Sequence, residues 1–121
     1  MTQTIFERYG GFASVRKVVS AFYDKLLDSD NLAPYFANTN MRILIDHQTQ
    51  FRSTVMGGPG TISDDVLRRV HAPLNIRRQH FVEMAELLAE TLEDFDFDVP
   101  DVRYVEREIL RREPLIVTQF D

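Results

Sequence analysis

The chain has 121 residues, 44% of them hydrophobic, with a net charge of −5 and no cysteine. This length and apolar share suit one domain with a real core, and the acidic balance argues against a dedicated nucleic-acid binder, which would carry a basic patch. The absence of cysteine excludes disulfides, thiolate metal sites and a cysteine nucleophile.

The first residues, "MTQTIFERYGG", show no basic segment followed by an apolar run, so no signal peptide is visible. No apolar stretch approaches the roughly 20 residues of a membrane span, and a soluble, cytoplasmic protein is expected. Gly10-Gly11 punctuates the chain before "ASVRKVVSAFYDKLL", where Val15, Val18, Val19, Phe22 and Leu26 form a helical stripe. "DSDNLAPYFANTN" breaks the pattern and reads as a turn-rich connection. Asn40 then caps "MRILIDHQTQFRSTVM", with Leu44, Gln48, Phe51 and Val55 on one face.

After "GGPG" at 57–60, Ser63 is placed to cap a short helix, with Asp64 and Asp65 suited to its positive end. A longer helix is predicted over about 77–93, with Phe81, Met84, Leu87, Leu88 and Leu92 at helical spacing. "EDFDFDVP" closes it. Pro100 fits the first turn of a last helix through "DVRYVEREILRREPLI", bent or ended near Pro114. The pattern predicts an all-α fold of five or six helices in a single domain, 1–121.

No catalytic carboxylate pair, nucleophile elbow or phosphate-cradling glycine motif is present. What stands out is three polar residues on apolar helical faces: Tyr23, Gln48 and His71. Each costs about 1–3 kcal/mol if buried without a partner. Taken singly, each is more often a satisfied core residue than a functional one. Together they need something to face. One histidine without a second histidine or carboxylate nearby is too few ligands for zinc. Haem iron differs, because the porphyrin supplies the equatorial nitrogens and the protein need give one imidazole.

The stretches "IFERYGG", "VVSAFYDKLL", "LAPYFANTNM", "DHQTQF", "MGGPG" and "VHAPLNIRRQHF", in this order, resemble a truncated (two-on-two) haemoglobin of the group I or N-type branch. The resemblance runs from about Ile5 to about Glu93 and weakens through the last helix. It implies a truncated globin fold, a two-on-two helical sandwich around non-covalent haem b. His71 matches the proximal histidine on iron, and Phe36 the phenylalanine that packs on the porphyrin. Tyr23 and Gln48 match the distal tyrosine and glutamine that stabilise the gas ligand. Leu44 falls where vertebrate-type globins place a distal histidine, and His47 where members often carry a cation reaching a haem propionate. Phe51, Leu67, Val70, Ile76, Phe81 and Met84 match apolar pocket positions. Gly10-Gly11 and Gly57-Gly58 match the paired glycines that let shortened helices turn.

Two departures stand out. Asn75 replaces a third glycine after the proximal helix, and asparagine tolerates left-handed geometry. Arg52 stands where some members have an aromatic beside an internal gas tunnel, which argues against a long apolar tunnel here. His80 reads as a surface or interhelical histidine. No histidine follows it, so the covalent haem link that some members form late in the chain is not expected.

The resemblance implies reversible binding of O2, CO and NO, with no catalytic residue assigned. Tyr and Gln donors favour O2 over the less polar CO, which suits NO dioxygenation with an external reductase, or ligand storage, better than bulk delivery. A haem-based gas sensor signalling to a partner and a cofactor-free helical interaction module are the alternatives. A monomer or weak dimer is expected.

Overall fold

The computed structural model describes residues 3–119, and among them it is helical throughout. The α-helices are α1 (Ile5–Arg8), α2 (Gly11–Asp28), α3 (Met41–Val55), α4 (Asp64–His71), α5 (Arg78–Asp94), α6 (Val99–Leu110) and α7 (Glu113–Ile116). Two 3-10 turns, Ala33–Phe36 and Ala72–Leu74, complete them. The count exceeds the five or six expected because α1 and α7 are single turns, too short to show a period. The connection expected as plain turn holds the first 3-10 segment, started by Pro34. An isolated bridge between Arg77 and Gln119 draws the C-terminal segment beside α5.

Local chemistry fixes the helix starts that position the site. The Asn40 side chain accepts from the Ile43 amide at 3.2 Å, so α3 begins at Met41. The Ser63 hydroxyl accepts from the Val66 amide at 3.3 Å and starts α4, with Asp64 and Asp65 in its first turn. At the other end of α4, Asn75 adopts φ 52°, ψ 49°, the left-handed geometry expected of it. It turns the chain into α5.

The stripe of α2 is buried as its spacing required, at Val15, Val18, Val19, Phe22 and Leu26, with Tyr23 beside them. α2 packs chiefly against α3 and α5, and α5 against α6. The core is therefore a pair α2–α3 laid on a pair α5–α6, a two-on-two sandwich. Phe22 and Phe81 are fully buried between the pairs, each contributing about 1.5–3 kcal/mol of apolar burial. α4 is packed on α7 rather than into the sandwich, and this leaves room on its inner side. No helix is long and apolar enough to cross a membrane.

Candidate functional site

Between α4 and the sandwich lies a chiefly apolar cavity with about 890 Å³ of space free of protein atoms, partly open to solvent. Its lining joins α2, α3, α4, α5, α6, α7 and both 3-10 turns. Nearly every residue singled out in the sequence meets there: Tyr23, Phe36, Leu44, Gln48, Phe51, Leu67, Val70, His71, Ile76, Phe81 and Met84. His47 does not. It is exposed on α3, one residue and so about 100° around the helix from Gln48.

His71 is half-buried in the last turn of α4. Its Nδ1 lies 2.7 Å from the Leu67 carbonyl oxygen. A carbonyl only accepts, so the ring proton sits on Nδ1 and the Nε2 lone pair is left free. Burial pushes the imidazole below its ordinary value, against the opposite pull of that hydrogen bond, and the charge of Arg52 adds to the lowering. The side chain is a neutral, oriented imidazole, the form that ligates a metal. Among the described residues no group of three or more His, Cys, Asp or Glu could hold a metal ion by itself. A metal on His71 therefore needs ligands that the protein does not supply, and an apolar cavity with one oriented imidazole fits a flat macrocycle bringing its own.

The polar wall comes from α2 and α3. Tyr23 is 5% exposed and packs edge-on against Phe22 and Phe36, with ring centroids 5.1 and 5.5 Å away. Burial raises its phenol above the ordinary value, more than the charge of Arg52 lowers it, so the hydroxyl stays protonated. On α3, Arg52 Nη1 donates to Gln48 Oε1 at 2.7 Å. A guanidinium has no acceptor, so the amide must turn its oxygen to Arg52 and keep its NH2 group for the cavity.

Several lining residues were not assigned to the site from the sequence: Leu26, Leu32, Tyr35, Arg52, Leu74, His80, Ile109 and Ile116. Arg52, expected only to obstruct a tunnel, is 5% exposed with its guanidinium over the rings of Phe22 and Phe51. Its signal was the four-residue step from Gln48, which puts both on one helical face. His80 is interhelical as expected, its Nδ1 2.8 Å from the Tyr35 hydroxyl, and it also reaches the cavity. That hydroxyl accepts from the Arg77 amide, so its proton points to His80.

Comparison with known proteins agrees with this arrangement. Residues 4–110 match the family model described as bacterial-like globin. A group 1 truncated haemoglobin of Tetrahymena thermophila is 35% identical over 91 residues, 75% of each chain. Among solved structures, the Fe(III) form of the truncated haemoglobin of Tetrahymena pyriformis superposes with a TM-score of 0.87 at 26% identity, covering 97% of this chain and 100% of that one. The 2/2 haemoglobin of Synechococcus, in the cyanomet state with covalently attached haem, gives 0.86 at 26% identity, covering 94% of this chain and 98% of that one.

Proposed function

The chain belongs to the bacterial-like globin family, among the group 1 truncated haemoglobins, and on that footing we propose that it holds haem through His71 and reversibly binds a diatomic gas, O2 above all. The observation that carries this reading is the His71–Leu67 hydrogen bond, which leaves Nε2 unprotonated in an apolar cavity. Haem supplies the gas-binding iron. The protein supplies the rest. Phe36, Leu44, Phe51, Leu67, Val70, Ile76, Phe81 and Met84 exclude water and hold the macrocycle by apolar contact. His47, on the exposed side of α3, is the residue for a propionate at the solvent edge. Tyr23 and Gln48 present an O–H and an N–H to a ligand with an electron-rich outer atom, each worth about 1 kcal/mol or more. The reading takes the haem as b type, held without a covalent link.

NO dioxygenation, with an external reductase as electron donor, is the finer reading. Donors that hold O2 against release favour its consumption by NO over its delivery. The decisive experiment is an absorption spectrum of the protein with haemin, ferric, ferrous and with CO, in wild type and His71→Ala. A Soret band that shifts with CO and is lost in the variant is expected; an unchanged free-haemin spectrum in wild type overturns the reading. NO consumption in the presence of O2 and a reductant tests the finer one.

A further inference from the structure

We propose that Arg52 raises the affinity of the ferric protein for a small monovalent anion of the azide, cyanide or nitrite kind, an effect that a neutral ligand such as CO does not share. The inference rests on the haem reading above, because the anion occupies the ligand position facing Tyr23 and Gln48.

Arg52 is the one buried charged residue among those described. No carboxylate lies within salt-bridge distance of it among them, whereas Arg8, Arg16, Arg68, Arg78 and Arg111 each have one. Its single hydrogen bond goes to the neutral Gln48 amide, and its buried Nε has no partner at all. The faces of Phe22 and Phe51, 5.6 and 5.1 Å from the guanidinium carbon, compensate part of the charge. They do not neutralise it. A buried charge left uncompensated is among the least favourable arrangements in a protein interior.

Tyr23 does not supply the missing negative charge, since burial keeps its phenol protonated. The polar groups that α2 and α3 bring to the cavity are then the Tyr23 O–H, the Gln48 NH2 and Arg52 itself, while His71, Tyr35 and His80 line it from other elements. Gln48 Oε1, the amide acceptor beside them on α3, is already taken by Arg52. A water molecule would satisfy an N–H but not the charge. A small anion satisfies both, and hydrogen bonds assisted by charge are roughly twice as strong as neutral ones. CO, neutral and only weakly polar, gains little from the net charge behind the Tyr23 and Gln48 donors.

The test is equilibrium binding of azide to the ferric protein and of CO to the ferrous protein, followed by the Soret band, in wild type, Arg52→Met and Arg52→Lys. Arg52→Gln replaces the Met variant if that one does not fold. Loss of the charge should weaken azide by about tenfold or more while CO stays within about twofold, and Arg52→Lys should keep most of the azide affinity. The thermal midpoint of the ferric protein should rise with azide in wild type and much less in Arg52→Met. Equal weakening of both ligands, or azide affinity indifferent to Arg52, overturns the proposal and leaves the haem reading standing. A wild type with no Soret band overturns both.

Discussion

Arg52 and Gln48 stand one turn apart on α3, and the guanidinium of the first is held by the amide oxygen of the second at 2.7 Å. A buried cation thus leans on a neutral partner. The consequence for stability is asymmetric. Gln48→Leu removes the sole hydrogen bond of a charge that stays buried and should cost about 1–3 kcal/mol. Arg52→Met removes the charge itself, keeps contact with Phe22 and Phe51, and should be neutral or stabilising. Urea unfolding of the two variants decides it. A greater loss in Arg52→Met than in Gln48→Leu would show that the guanidinium is balanced by something other than Gln48.

Tyr23 separates function from stability. Its hydroxyl meets no hydrogen-bonding partner that would shift its phenol; burial and the charge of Arg52 are the causes at work. Tyr23→Phe therefore leaves no orphaned group, and fold stability should stay within about 0.5 kcal/mol of wild type. O2 dissociation should quicken by about tenfold while CO dissociation changes by no more than about twofold. Stopped-flow displacement of each gas measures both. Equal changes for the two gases would mean that the phenol acts by bulk and not by its proton.

How much of this was legible in the sequence follows from what each residue depends on. The α2 stripe, Val15 to Leu26, was readable because periodicity alone buries it. The caps at Asn40 and Ser63 were readable because their chemistry is local. His71 carried no spacing to identify it, and only the resemblance made it a ligand; its proton position needed the Leu67 carbonyl in three dimensions. Ile109 and Ile116 reach the cavity only because α6 and α7 fold back over it, a tertiary fact with no local signature. Arg52 was hidden by its own charge, since a charged residue on a helix is ordinarily solvated.

The glycine pair 57–58, read as one turning device, divides into two roles. Gly57 is needed for its φ of +91° as well as for space, since an added Cβ would lie 2.9 Å from the Thr4 side chain, while Gly58 is needed for space alone: there an added Cβ would lie 2.8 Å from the Ser53 carbonyl oxygen and 2.9 Å from the Phe6 ring. Gly58 also donates to that carbonyl at 2.7 Å, so the backbone has little freedom to move away. Gly58→Ala should cost about 1–3 kcal/mol by overpacking. Asn75→Gly, at a position already left-handed, should change stability by less than about 0.5 kcal/mol. Urea midpoints of the two variants rank them. A tolerated Gly58→Ala would show that the 53–58 turn can open.

Asp101 predicts an acid limb to stability. Its carboxylate accepts from both terminal nitrogens of Arg8, at 2.9 and 2.7 Å, and from the Tyr9 hydroxyl at 2.6 Å, tying the single turn of α1 to α6. The Arg8 hydrogen bonds hold the carboxyl below its ordinary value, with Tyr9 adding to this and partial burial opposing it. Because the folded value lies below the unfolded one, near 3.9, the stabilisation is whole above that pH and is lost as pH falls through the folded value. Asp101→Asn should therefore be less stable than wild type by a constant margin from about pH 7 down to about pH 5, and the margin should close below about pH 4. Urea midpoints of both proteins across that range give the margin directly, because every other carboxylate titrates alike in the two. A margin that persists at the lowest pH would assign the loss to packing of the side chain and not to its charge.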